Sequence, residues 1–222
     1  MMNKHTQRIF RATIVILVLL ISTVIIVQLT DKNNAETKYD HLPWYLTLVT
    51  KTRSVPKTYI PQLCKLANGE QIDRRIYPEL QEMFDDARAN GLDLQAAHCY
   101  RTKQQQADIL KTRIHEIMKQ GYTEEQATAE AQLTVALPDH SEHQLGLAID
   151  IQKKGKTNAD QLYAWLENNA YRYGFILRYP KNKTEETGFQ YERWHYRYVG
   201  TDAAQVIQEE QLTLEEYLQI YE

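Results

Sequence analysis

The chain is short of the residues that staple or punctuate small folds. Two cysteines in 222 residues, Cys64 and Cys99, exclude a disulfide-dense scaffold and a multi-cysteine metal cluster. A single bridge between them stays open for a domain outside the cytoplasm. Eight glycines and six prolines are too few for a collagen-like or low-complexity chain, and no glycine-rich phosphate loop or internal repeat occurs. Positive charge is not in excess either, since 26 Lys and Arg against 29 Asp and Glu give −3. Without the basic first eleven residues (Lys4, Arg8, Arg11) the remainder stands at roughly −6. A nucleic-acid or polyanion binder needs a basic face, so that class is excluded. Charge is missing altogether from Ala12 to Thr30, a run dominated by Ile, Val and Leu.

That run is what the chain does have at its start. Its length gives about 28 Å as a helix, close to the thickness of a bilayer core. The basic flank belongs on the cytoplasmic side, which places the rest of the chain outside. A cleaved signal peptide is the competing reading. Its apolar region usually has about 7–15 residues and ends in small residues, and Gln28-Leu29-Thr30-Asp31 offers no such site. The pattern predicts a cytoplasmic tail at 1–11, a transmembrane anchor at 12–30, a polar tether at 31–41 and one domain at 42–222. A hydrophobic fraction of 43% with 25% charged residues suits a globular domain with a real core.

Within the domain, Ile76 to Asn90 predicts a helix with Pro78 in its first turn, Leu80, Met83, Phe84 and Ala87 inward, and Gly91 after it. A weakly alternating strand follows at Leu92 to Ala97. A second helix is expected from Lys103 to Gln120 with Ile109, Leu110, Ile114 and Ile117 inward. Thr123 and Gln126 make a capping box for a third, running to about Leu137 before Pro138. Further on come a strand at Leu147–Ile151, a helix at Asn158–Asn169 burying Leu162, Trp165 and Leu166, and strands at Phe175–Tyr179 and Trp194–Val199. Two short helices begin near Thr201 and Thr213. This order predicts an α+β domain, a small and largely antiparallel sheet flanked by helices, preceded by the transmembrane helix.

The chemistry concentrates in Ser141-Glu142-His143-Gln144-Leu145-Gly146-Leu147-Ala148-Ile149-Asp150. Alternation puts Ala148 and Asp150 on one face of the strand, and Ile149 and Ile151 on the other. Gly146 lets the backbone turn so that His143 folds back toward Asp150. A carboxylate beside a buried apolar strand is costly unless something pairs with it, and a divalent metal shared with His143 would do so. A catalytic zinc needs three protein ligands and an open position, and His195 in Glu192-Arg193-Trp194-His195-Tyr196-Arg197 is the candidate third. Glu192 lies an odd number of residues before His195, so a turn at Arg193 is required to bring both to one side.

The two stretches, SEHQLGLAID and ERWHYR, resemble the paired metal motifs of the VanY-type D-alanyl-D-alanine carboxypeptidases, zinc peptidases. The likeness extends to Tyr100-Arg101-Thr102 with Gln106 and to Leu48-Val49, Val55-Pro56 and Tyr59, covering roughly residues 42–199. It implies Zn2+ held by His143, Asp150 and His195, with Glu192 as general base for a metal-activated water. It also implies an arginine fork for the substrate's terminal carboxylate. Arg101 takes that role, with Gln106 and Ser141 as hydrogen-bond partners and Tyr100 and Trp194 beside them. Arg197, two residues beyond His195 on the same strand face, is its rival.

The chain departs from the family pattern at Arg193 (usually Pro), at His98-Cys99 (usually Ser-Gly) and at Asp139 (usually Gly). The implied function is removal of the C-terminal D-alanine from peptidoglycan stem peptides by an enzyme of the bacterial cell membrane, single-pass, with its catalytic domain extracytoplasmic. An L,D-carboxypeptidase acting on tetrapeptide stems and a non-catalytic zinc-containing wall-binding module are the alternatives.

Overall fold

The structure is a computed structural model and describes residues 42–221. The tail, anchor and tether expected at 1–41 lie outside the described residues. Helix α1 (Tyr77–Ala89) forms where the apolar spacing puts it, with Pro78 in its first turn and Leu80, Met83, Phe84 and Ala87 buried. It ends at Asn90 and Gly91, whose φ of 77° only glycine adopts without strain. Helices α2 (Lys103–Met118) and α3 (Glu124–Ala131) both start on capping boxes, Thr102 with Gln105 and Thr123 with Gln126. They pack on each other through a small cluster of Leu110, Ile117, Ala127 and Ala131.

Four strands build the main sheet: β3 (Leu94–His98), β4 (Ala148–Lys153), β5 (Phe175–Leu177) and β6 (His195–Tyr198). They lie in the order β3-β4-β6-β5, every pair antiparallel. A separate two-stranded ribbon, β1 (Leu63–Lys65) with β2 (Gln71–Asp73), was not foreseen from the sequence. One face of β4 carries Ile149 and Ile151, fully buried with Met83 and Phe84 of α1. Leu162 and Leu166 of α4 (Ala159–Asn169) join the same core. Full burial of each such side chain contributes about 1.5–3 kcal/mol. The other face carries Asp150. The short helices α5 (Thr184–Thr187), α6 (Thr201–Glu210) and α7 (Leu214–Tyr221) complete the chain. From Pro43 on, the described residues form a compact unit of their own.

The α+β architecture with a small antiparallel sheet and flanking helices is what forms. Some local expectations need correcting. Helix α3 stops at Ala131 rather than near Leu137, because the chain must leave it to line the site. There the carbonyl of Ala136 accepts a 2.8 Å hydrogen bond from the Gln106 amide. Ile109 points into the site cavity and not into the α2–α3 core. Trp165 is half-buried at the edge of the core. Cys64 and Cys99 are free thiols. Among the described residues, no helix is long and apolar enough to cross a membrane.

Candidate metal centre

Three local devices bring His143, Asp150 and His195 together. The first is the sheet: Asp150 on β4 stands directly opposite His195 on β6, so the two side chains are cross-strand neighbours. The second is the single 3-10 turn Glu142–Leu145 just before β4, which carries His143 and is closed by Gly146 at φ 71°. A side chain at Gly146 would place its Cβ 2.9 Å from the backbone nitrogen of Asp73, which donates to the Gly146 carbonyl. The third is the turn ahead of β6. His195 N–H donates to the Glu192 carbonyl at 3.1 Å, a bend that brings Glu192 to the same side as His195. Arg193 holds the outside of this bend, lying over the Tyr163 ring and bonding Asp160 at 2.8 Å.

The ligand atoms of His143, Asp150 and His195 all lie within 4.8 Å of one another, and all three residues are buried. His143 Nε2 is 3.5 Å and His195 Nδ1 3.2 Å from Asp150 Oδ1. That oxygen is buried without a hydrogen-bond partner among the described residues. The other Asp150 oxygen accepts from Arg101 at 3.0 Å. His143 Nδ1 lies 2.7 Å from the Cys99 carbonyl. A carbonyl only accepts, so Nδ1 carries the proton and the Nε2 lone pair faces Asp150. Two imidazole nitrogens and a carboxylate oxygen are a donor set suited to a catalytic zinc, and the orphaned Asp150 oxygen at their centre calls for a cation.

The electrostatics set the two histidines apart, and a metal would have to displace a proton from His195. Burial, helped by the Arg101 charge, lowers the His143 pKa to about 4, keeping the ring neutral as a metal ligand must be. Burial would raise Asp150, but His143 and His195 outweigh it and hold the carboxyl well below the usual range. Burial disfavours a charged His195, yet the carboxylates of Asp150, Glu142 and Glu192 around it raise its pKa to about 9. Three acids thus converge where one positive charge belongs. Glu192 stands 3.5 Å from His195 Nδ1. Burial pushes its carboxyl up to about 7, a value suited to taking and returning a proton near neutrality.

These residues line a cavity of about 390 Å³, together with Arg101, Gln106, Ser141 and Trp194 from the expected set. Arg101 is partly committed: besides Asp150 it reaches Gln106 at 3.4 Å, while other N–H groups of its fork are left for a ligand. Tyr100 and Arg197 are corrections, for neither lines the cavity. Arg197 does share a face with His195, but it is fully buried. It donates to Glu142, to the carbonyls of Tyr45 and Thr47, and to its neighbour Tyr198. Residues unremarked or unresolved from the sequence also join the wall, His98, Glu142, Tyr179 and Phe189 among them. His98 reaches the cavity from the end of β3, Tyr179 packs a tilted ring against His195 with Phe189 against Tyr179 in turn, and Glu142 lies beneath His195. An acid wedged between Ser141 and His143 in a run that is otherwise buried is the one signal that could have marked Glu142.

Comparison with known proteins gives this geometry a family. The model of the family "VanY: D-alanyl-D-alanine carboxypeptidase" matches residues 69–201. A D-alanyl-D-alanine carboxypeptidase of Enterococcus faecalis (strain ATCC 700802 / V583) is 48% identical over 185 residues, covering 83% of this chain and 69% of that protein. Two crystal structures are each 48% identical. One is a vancomycin resistance D,D-pentapeptidase VanY mutant in complex with Zn(II), with a TM-score of 0.78, covering 79% of this chain and 99% of the other. The other is VanYB in complex with D-alanine-D-alanine, with a TM-score of 0.79 and coverage of 81% and 100%. With its metal triad, acid and arginine arranged around one cavity, the chain belongs to the VanY family of D-alanyl-D-alanine carboxypeptidases.

Proposed function

We propose that this protein is a zinc-dependent D,D-carboxypeptidase that removes the C-terminal D-alanine from peptidoglycan stem peptides. The observation that carries the reading is the convergence of His143, Asp150 and His195 on one buried point, with Glu192 and Arg101 on the wall of the same cavity. His143, Asp150 and His195 would hold the zinc. When bound, zinc polarises the scissile carbonyl and makes water acidic enough to attack at neutral pH.

The chain's own residues do the rest. Glu192 takes the proton of the attacking water and hands it to the departing D-alanine amine. Its burial next to His195 keeps the carboxyl near the pKa this exchange requires. Arg101 holds the substrate's terminal carboxylate through its fork, and Gln106, buried and bonded to Ala136, keeps that fork in place. Trp194, 39% exposed beside the cavity, supplies a flat apolar surface for the peptide. Ser141 adds a hydroxyl to the wall. The same reading places the domain outside the cytoplasmic membrane, with residues 12–30 as a single-pass anchor. The uncharged run and the basic flank before it support this.

Incubation with defined penta- and tetrapeptide stems, followed by detection of free D-alanine, tests the assignment. Release from the pentapeptide alone is expected. Release from the tetrapeptide alone would make the enzyme an L,D-carboxypeptidase. No release by zinc-loaded protein would leave a wall-binding module.

A further inference from the structure

Glu142 has no part in the chemistry described above, yet it is 2% exposed and lies under the metal triad. One carboxylate oxygen, Oε1, accepts from Arg178 Nε at 2.8 Å and from Arg197 Nη1 at 2.9 Å. The other, Oε2, is buried without a hydrogen-bond partner among the described residues, and so is His195 Nε2. These two orphaned atoms face each other at 3.8 Å. A small rotation of either side chain closes that gap to a hydrogen bond. The opposite ring nitrogen of His195, Nδ1, points at Asp150 Oδ1.

We propose that Glu142 is a positioning residue for the metal: its Oε2 accepts a hydrogen bond from His195 Nε2–H and thereby leaves the Nδ1 lone pair to the metal. The inference rests on the zinc reading and adds a residue to it. An imidazole has one proton to place when neutral, and the partner of one nitrogen decides what the other offers. His143 solves this with the Cys99 carbonyl on Nδ1, so that Nε2 faces inward. His195 solves it the opposite way, with a carboxylate on Nε2 and Nδ1 inward. The carboxylate must itself be rigid. Arg197 ties it to the Tyr45–Thr47 segment, and Arg178 ties it to both oxygens of Glu215 on α7, at 2.8 and 2.6 Å.

Only an acceptor at both ends satisfies this arrangement. In Glu142→Gln the amide N–H groups cannot face two guanidinium groups, so the amide oxygen stays on the arginines and the NH2 turns toward His195 Nε2. That nitrogen must then accept, which puts the ring proton on Nδ1, on the metal side. Loss of such a supporting partner costs about 10–100-fold in metal affinity.

The test uses the full chain, zinc affinity by competition with a chelating dye, and nitrogen NMR of labelled histidine. Wild type loaded with zinc should show His195 ligating through Nδ1 with a slowly exchanging Nε2–H, and Glu142→Gln should bind zinc about 10–100-fold more weakly. Glu142→Asp, which keeps the carboxylate but shortens its reach, should lie between them. Equal zinc affinity in wild type and Glu142→Gln overturns the proposal. So does ligation of zinc through Nε2 in the wild type, a result that stands even if the variants fail to fold. A wild type that binds no zinc at all overturns the metal assignment as well, which sets that failure apart.

Discussion

Glu192 and Arg101 are the two residues whose chemistry is sharp enough to test singly. Glu192→Gln keeps size and shape but cannot accept a proton. It should retain zinc, measured by metal analysis, while turnover falls by about 10²–10⁴-fold; near-normal turnover would remove Glu192 from the mechanism. On the proposed reading Arg101 has two duties: its bond to Asp150 at 3.0 Å steadies a metal ligand, and its remaining N–H groups meet the substrate. The substrate duty is isolated by amidating the peptide's C-terminus. Amidation should cost wild type about 2–5 kcal/mol in kcat/KM and cost Arg101→Ala little more, since both remove one shared interaction. If the two losses multiply, another group reads the carboxylate. Their places on the cavity wall were legible in the sequence because Glu192 belongs to the second metal motif itself and Arg101 to the Tyr100-Arg101-Thr102 stretch that accompanies the motifs. Arg197 was misread for a physical reason. Strand alternation gave its face correctly, but alternation is blind to what closes over that face, here Glu142 and the Tyr45–Thr47 segment.

Among the elements, the unforeseen ribbon β1–β2 is the one that props the metal turn. Its last residue, Asp73, donates its N–H to the Gly146 carbonyl at 2.9 Å. The Asp73 carboxylate is fully buried and accepts from the Gln62 and Arg75 backbones and twice from the Arg75 guanidinium. Burial alone would raise its pKa, but the Arg75 hydrogen bond and those backbone donors hold it below the usual range. A carboxyl depressed in the folded state stabilises the fold above its unfolded pKa of about 3.9, and that contribution is lost as pH falls through the folded value. Asp73→Asn should therefore lose about 1.5–3 kcal/mol at pH 7 by chemical denaturation, with the gap to wild type shrinking below about pH 4. A gap that stays constant through that window would mean the charge contributes nothing.

The sequence concealed this ribbon because strands of three residues show no usable period. Gln71-Ile72-Asp73 reads as polar loop until its partner is known. The helices were legible for the opposite reason: Thr102 and Thr123 with their capping partners announce each start locally. Where α3 ends was not, since the stretch after it is held by a contact distant in sequence, Gln106 reaching over to the Ala136 carbonyl.

At the scale of the whole molecule, two predictions concern how its ends serve the site. Residues 1–41 should hold the full chain in the membrane fraction, and protease added to wall-stripped cells should digest the domain. A soluble product beginning near Asp31 would mean a cleaved leader instead.

The C-terminal end is bound in by charge. Arg178 is 1% exposed, and its positive charge is balanced by Glu142 on one side and by Glu215 of α7 on the other. Burial opposes the charge on this guanidinium, but those two carboxylates outweigh it and push its pKa further up. Breaking a buried pair by removing one member costs about 3–5 kcal/mol, because the partner is left uncompensated. Arg178→Met strands Glu215 and leaves Glu142 with Arg197 alone, and should approach that figure. Glu215→Gln should cost less, since Arg178 keeps Glu142 and Glu215 is the more exposed partner. In the double variant the stranded Glu215 charge is gone, so the combined loss should fall short of the sum of the singles. The loss should also reach the metal, because Glu142 is the residue Arg178 holds beneath His195. Zinc affinity should drop in Arg178→Met, and less in Glu215→Gln. Additive losses, with zinc affinity unchanged, would mean that α7 merely covers the sheet and has no grip on the site.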